Sequence, residues 1–375
     1  MMNAFQLRLI LRFKFPAVFL LLWISWLTQA QVPEYTQRVT RSFKVNSTAT
    51  VDIANKYGKV QVVTWDNDSV KFIIDLRIKA KDQQKLQKLK QSIDFEFTTG
   101  QFFVIAHTVL GQSSQDIFKD IVDIAGTYLS TANSVTINYT VMVPAYTPLK
   151  IENKFGDVFI DNLDNNLNLT LSYGDITAGR LNGKTDIRLS SGDGTISYMK
   201  DGHVFVSYGD LHVKEAGKLF AETRSSNVTI EKSASLKLDS RRDKLFLNDL
   251  GSVSGSGYFS AINIGDLHND VTLSLRYGDF SVDKIYRTFS VVNISSEYTD
   301  LTLGFERPPS FTIELTRHQD MAFTYPSGYL ANLSNRVINT DNKLVMTSGT
   351  FGTGDAGSAV IIKAPRKCSL TLSYR

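Results

Sequence analysis

The feature that most constrains this chain is a period. Steps of 18, 18, 17, 17, 17, 17, 18 and 21 residues from Asp157 land on Asp175, Asp193, Asp210, Asn227, Lys244, Ala261, Asp279 and Asp300. The first and third residues after these nine anchors are Val158/Ile160, Ile176/Ala178, Gly194/Ile196, Leu211/Val213, Val228/Ile230, Leu245/Leu247, Ile262/Ile264, Phe280/Val282 and Leu301/Leu303. Seventeen of the eighteen are apolar, where a 42% hydrophobic composition gives about eight by chance. Alternating apolar residues after a Gly-Asp turn, repeated at this length, predict a solenoid: each coil adds short strands and stacks its inward residues into one continuous core. The expected fold is mainly β, a parallel β-solenoid of about 9–10 coils of 17–21 residues, preceded by a β-rich region with one or two helices.

Each corner puts two residues between alternating runs, as in Leu169-Thr-Leu171-Ser-Tyr173-Gly174-Asp175-Ile176. The chain is expected to bend there, with Gly156, Gly174, Gly192, Gly209 and Gly278 as structural turn residues that tolerate positive φ. Stacked at the usual strand spacing, the aromatics at 155, 173 and 208 fall near one file that Ser191 interrupts. Asp157, Asp175, Asp193 and Asp210 form a second file. They read as solvated turn residues bonded to local backbone donors, with calcium chelation as the competing reading. The glycine-rich nonapeptide of calcium-binding β-rolls is absent.

Three segments are expected: a signal peptide over residues 1–30, a β-rich N-terminal region over 31–148 and the solenoid with closing strands over 149–375. Arg8, Arg12 and Lys14, an apolar run of thirteen residues from Phe15 to Leu27, and Thr28-Gln29-Ala30 read as a cleaved secretory signal. The run is shorter than the roughly 20 residues a spanning helix needs, and no later stretch is longer, so no transmembrane segment is expected after cleavage. Removing three basic residues lowers the formal charge from +4 to +1, which argues against a nucleic-acid partner. Cys368 is the only cysteine, so no intramolecular disulfide forms.

In the N-terminal region, Tyr57-Gly58-Lys59 followed by Val60 and Val62 reads as an outlying or first coil. Leu86, Leu89 and Ile93 predict an amphipathic helix within Lys81–Ile93, and Ile117, Ile121 and Ile124 a second one over Gln115–Tyr128. Near the C-terminus a last coil is expected to centre on Asp320, with Met321 and Phe323 inward. Lys343–Thr347, Ala359–Lys363 and Ser369–Tyr374 are expected to close the open end.

No constellation of catalytic residues stands out, and no catalytic, cofactor or metal residues are assigned. The histidines at 107, 203, 212, 268 and 318 lack metal-ligand spacing; His203 and His212 read as exposed positions in neighbouring strands of one coil. Gly352-Thr-Gly354-Asp-Ala-Gly357 has dinucleotide-binding spacing, but a strand-like run follows where a helix is required. Arg241-Arg242, alongside Asp239 and Asp243, suits either an acidic sugar or a solvated charge cluster.

Gly58-Lys59-Val60-Gln61-Val62, then Trp65-Asp66 and Ser69-Val70, the Val141-Met142-Val143-Pro144 strand end before Leu149, and the Gly-Asp coils together resemble a family. It is that of bacterial secreted proteins named putative adhesins, of unknown biochemical function, with a β-solenoid repeat. The resemblance implies surface attachment and supplies no site residues. Ala30-Gln31 and the absence of a lipobox resemble exported proteins of Bacteroidetes-type Gram-negative bacteria, placing the chain in the periplasm or at the outer cell surface. The expectation is a non-enzymatic cell-envelope protein, with no cofactor, that presents a repetitive surface to glycan or protein ligands. A periplasmic scaffold in envelope sensing and a β-helix polysaccharide lyase or hydrolase are the alternatives, the latter using Asp193, Asp210 and His212.

Overall fold

The computed structural model describes residues 32–111, 133–352 and 357–374. The expected signal peptide and the expected helix over Gln115–Tyr128 lie outside the described residues.

In chain order the described elements begin with β1 (Glu34–Lys44), β2 (Thr50–Lys56), β3 (Val60–Thr64), β4 (Ser69–Lys79) and α1 (Gln83–Gln91). They continue with β5 (Ile93–Thr99), β6 (Phe103–Leu110), β7 (Ser134–Val143), β8 (Leu149–Lys154), β9 (Val158–Ile160) and β10 (Leu167–Ser172). Then come β11 (Ile176–Ser190), β12 (Gly194–Ser207), β13 (Asp210–Arg224), β14 (Asn227–Arg241), β15 (Lys244–Tyr258), β16 (Ala261–Leu267), β17 (Val271–Ile285) and β18 (Val291–Phe305). The chain ends with β19 (Phe311–His318), β20 (Ala322–Thr324), β21 (Ala331–Asn339), β22 (Leu344–Phe351), β23 (Ala359–Ala364) and β24 (Ser369–Tyr374).

The architecture is a parallel β-solenoid. Each coil contributes one strand segment before the Gly-Asp corner, on an entry face, and one after it, on an exit face. On the entry face Leu149, Leu167, Thr185 and Gly202 stand in register, all parallel. On the exit face Val158, Ile176, Gly194, Leu211, Val228, Leu245, Ile262, Phe280 and Leu301 form one file, as the period predicts. All eighteen of the post-anchor positions are buried. Burying a Val, Leu or Ile side chain contributes about 1.5–3 kcal/mol relative to leaving it in water, so this file, with the buried residues of the entry face, supplies the stack's cohesion.

The N-terminal segments do not simply precede the solenoid in space. β2 pairs in parallel with β8, and β3 with β9, so Thr50–Thr64 is a coil stacked directly against residues 149–160. On its other side β6 pairs in parallel with β2 and β7 with β3. A later stretch of chain therefore forms the layer outside the earliest coil. Two antiparallel additions close this end: β5 on β6, and β1 on β4 on β7. The predicted first helix is α1, with Asp82 accepting the Lys85 N–H at 2.7 Å as its N-cap and Leu86 and Leu89 buried.

The C-terminal end departs from expectation. Residues 359–374 do not form the outermost closure. β23 and β24 lie directly on β18, in the position of the next coil, while the Asp320 coil (β19 and β20) stacks outside them. Asp300 shows the same order: its Oδ1 accepts the Ser369 N–H at 2.7 Å. Outside β19 the entry face ends in the antiparallel strands β22 and β21. Met321 is buried, as read from the sequence, and Phe323 is partly buried against the core. At both ends a non-consecutive segment is laid into the stack, which local periodicity does not encode.

Candidate functional site

The most distinctive surface is the ridge formed by the corners. At every corner from Tyr57 to Tyr298 the residue before the corner glycine, or before the residue in its place, takes positive φ, and only at Gly278, with φ of 157°, does the glycine do so as well. Phe155, Tyr173, Ser191, Tyr208, Ser225, Arg242, Phe259, Tyr277 and Tyr298 have φ between 52° and 60°. The expectation that the glycines supply positive φ is thus corrected for Gly156, Gly174, Gly192 and Gly209; the residue before each of them does so. These glycines are needed for close approach. A Cβ on Gly156, Gly174, Gly192 or Gly209 would lie 1.9–2.3 Å from the carbonyl oxygen of the corner glycine one coil below. On Gly278 it would lie 2.1 Å from the Ser260 carbonyl.

From Tyr173 onward most of the left-handed residues are exposed, whereas Tyr57 is buried, and successive rings stack. Tyr57, Phe155 and Tyr173 form one stack, with centroids 5.5 and 5.1 Å apart. Phe259, Tyr277 and Tyr298 form another, at 4.8 and 5.1 Å. Between them stand Ser191, Tyr208, Ser225 and Arg242. The file foreseen for 155, 173 and 208 exists and extends to Tyr298. Lys154 lies over Phe155 and Tyr173, and Arg276 over Tyr277.

Beside the ridge runs the aspartate file. Oδ1 of Asp157, Asp175 and Asp193 accepts the backbone N–H of the next aspartate, at 3.0, 2.8 and 2.8 Å. Asp210 Oδ1 accepts the Asn227 side-chain amide at 2.8 Å. Each carboxylate thus completes a corner donor of the coil above it. Among the described residues no cluster of three or more His, Cys, Asp or Glu side chains could hold a metal ion.

One aspartate behaves differently, and its burial corrects the reading of a solvated charge cluster. Asp243, beside the Arg241-Arg242 pair, occupies the corner-glycine position and points inward, only 3% exposed. Its Oδ2 accepts from the Ser240 hydroxyl at 2.6 Å, the Arg241 N–H at 2.8 Å and the Thr223 hydroxyl at 2.5 Å, while Oδ1 accepts the Ser226 N–H at 2.9 Å. Ser226 and Ser260 hold the same position in the neighbouring coils and are also buried. The available signal was this local swap of glycine for polar residues in three consecutive coils.

A missed cluster lies on the entry face. His203 Nδ1 is 3.0 Å from Asp186 Oδ2, its Nε2 is 2.9 Å from Glu222 Oε1, and Phe220 stacks on the ring at 4.8 Å. Aspartate, histidine and glutamate come from three successive coils, so sequence proximity could not reveal them. Both ring nitrogens face carboxylates, so neither is turned toward open solvent where a substrate would sit. Of the residues weighed for polysaccharide cleavage, Asp193 and Asp210 are neighbours, with His212 two residues further along the same strand, but each already has a structural partner. Asp193 and Asp210 belong to the corner ladder, while His212 Nε2 lies 2.7 Å from Glu231 Oε1 on the exit face. His268 pairs with Asp249 at 2.8 Å, His107 with Asp52 at 3.3 Å and His318 with Asp320 at 3.7 Å. After Gly352 and Gly357 comes β23, a strand, where a dinucleotide site needs a helix.

No family model matches the chain, and no curated protein matches it. Among solved structures, a "putative adhesin" from Parabacteroides distasonis is 8% identical, with 72% of this chain and 97% of that one covered and a TM-score of 0.33. A "putative adhesin" from Bacteroides fragilis is 14% identical over the same shares, with a TM-score of 0.30. A "putative cell adhesion protein" from Clostridium sporogenes is 7% identical over 91% of this chain and all of that one, with a TM-score of 0.20. At these values the likenesses say nothing about ligand or activity.

Proposed function

We propose that the protein is a non-enzymatic, exported component of the cell envelope that presents its solenoid surface to glycan or protein ligands, as an adhesin does. The observation that carries this reading is the corner ridge, a file of aromatic side chains of which Tyr173, Tyr208, Phe259 and Tyr298 are exposed to solvent. Tyr173 is 55% exposed, Tyr208 70% and Phe259 49%. A large exposed aromatic surface on a rigid array is costly in water unless a partner covers it. The ladder of backbone and aspartate bonds fixes the ridge before binding, so little ordering entropy opposes association. The secretory leader read in residues 1–30 is consistent with export.

Protease treatment of intact cells of the source organism, with a periplasmic protein as control, tests the reading. Cleavage while the control survives supports display to outside ligands. Protection until the outer membrane is opened overturns adhesion and favours the periplasmic scaffold.

A further inference from the structure

We propose that the gap at Ser191 in the corner file is a seat for a single pyranose ring of a neutral glycan, clasped between the side chains of Tyr173 and Tyr208. The inference rests on the ligand-presenting function above and names the ligand class and the seat.

The geometry follows from the repeat. Adjacent rings of the file stand 4.8–5.5 Å apart. Tyr173, Ser191 and Tyr208 occupy consecutive corner positions, with φ of 57°, 56° and 57°. Tyr173 and Tyr208 are therefore two steps apart, roughly 10 Å at the strand spacing, and the side chain between them is too small to fill the space. One face of Tyr173 is covered by Phe155, whereas among the described residues no ring stacks on Tyr208. Their exposures, 55% and 70%, contrast with half-buried Tyr277, which has a ring on each side.

The width selects the guest. A flat aromatic guest makes contact at about 3.5–4.0 Å on each face and would leave a void in a space of roughly 10 Å. A pyranose is thicker, because its axial C–H bonds project from both faces, and it packs against a tyrosine ring at about the spacing the file already uses. Its polar rim also finds partners. Asp175 and Asp193 give Oδ1 to the ladder, leaving Oδ2 to accept from sugar hydroxyls, and Ser191 adds a hydroxyl at the gap itself, while the Ser190 hydroxyl accepts from Ser207 at 3.3 Å. The carboxylates of Asp175, Asp193 and Asp210 disfavour an anionic sugar at this gap. The next gap, at Ser225, is bordered by Arg242 and Lys244 and has the opposite character, which makes it an internal control.

The test is titration calorimetry of the purified protein with cellohexaose, maltohexaose and mannohexaose, alongside polygalacturonate oligomers, for wild type, Ser191→Tyr, Tyr208→Ala and Ser225→Tyr. Ser191→Tyr supplies the missing ring of the stack, so its melting temperature should equal or exceed that of wild type while neutral-glycan affinity falls at least tenfold. Tyr208→Ala should lose a similar factor, and Ser225→Tyr should leave neutral-glycan binding unchanged. Wild-type affinity retained in Ser191→Tyr overturns the seat, as does absence of binding to every neutral oligosaccharide. Binding of the acidic oligomers alone, lost in Ser225→Tyr, overturns it in favour of the other gap. None of these outcomes decides surface display, which the protease experiment reads separately.

Discussion

Oδ1 of Asp175 accepts the backbone N–H of Asp193 at 2.8 Å, so a side chain of one coil completes the backbone of the next. That bond makes the file of like charges tolerable, because each carboxylate is anchored by a donor and its charge is exposed to water and screened by salt.

An asparagine keeps the accepting Oδ1, so Asp193→Asn should change stability by no more than about 0.5 kcal/mol, whereas Asp193→Ala loses the bond and should cost about 1 kcal/mol. If the ladder is structural, neither calcium nor a chelator moves the melting temperature of wild type. A calcium-dependent rise that Asp193→Asn removes would instead establish chelation.

Asp243 should respond very differently. Replacing it with alanine leaves the Thr223 and Ser240 hydroxyls and the Ser226 and Arg241 amides without their shared acceptor in a buried corner. The expected loss is about 3–5 kcal/mol, since several buried neutral donors lose their acceptor at about 1–3 kcal/mol each. Urea unfolding of Asp243→Ala beside Asp193→Ala separates the two roles of one residue type.

Gly192→Ala places a Cβ 2.0 Å from the Gly174 carbonyl oxygen, a contact with backbone that no rotamer relieves. The coils must part locally, and a cost of about 3 kcal/mol or more is expected. Gly357→Ala, where nothing lies within 4 Å, should be neutral in the same thermal melt.

Leu273 is 3% exposed within the inward file. Leu273→Asp buries an unpaired carboxylate and should abolish the cooperative transition in circular dichroism, while Leu273→Ala should cost about 2–5 kcal/mol and leave a folded protein.

Burial pushes the Tyr139 hydroxyl from the usual 10.0 up to about 12, against a smaller opposing effect from its hydrogen bond to Thr108. The unfolded chain ionises near 10 while the folded one resists. This contribution is therefore complete below pH 10 and is lost as pH rises toward about 12, at roughly 1.4 kcal/mol per unit. The urea midpoint of wild type should fall more steeply between pH 9.5 and 11.5 than that of Tyr139→Phe. Equal slopes would mean that the hydroxyl ionises freely in the folded state.

The sequence determined the coil. The spacing of Asp157, Asp175, Asp193 and Asp210, with apolar residues one and three positions later, sufficed for a parallel solenoid, because strand alternation and turn length are local properties of the chain. It also carried the aromatic file and its break at Ser191, since a repeat turns sequence position into spatial neighbourhood. Only the tertiary structure decided what depends on which segments meet. The laying of 359–374 between β18 and β19 is one case, and the layer that β6 and β7 form outside the earliest coil is another. The His203 cluster, drawn from three coils, is a third. Two corner details were likewise hidden. Positive φ falls on the residue before the corner glycine, and it does so equally where Ser226, Asp243 or Ser260 replaces that glycine. Asp243 turns inward while Asp193 stays in water, because Asp243 stands one place earlier, in the corner-glycine position, where Thr223, Ser226 and Ser240 donate to it.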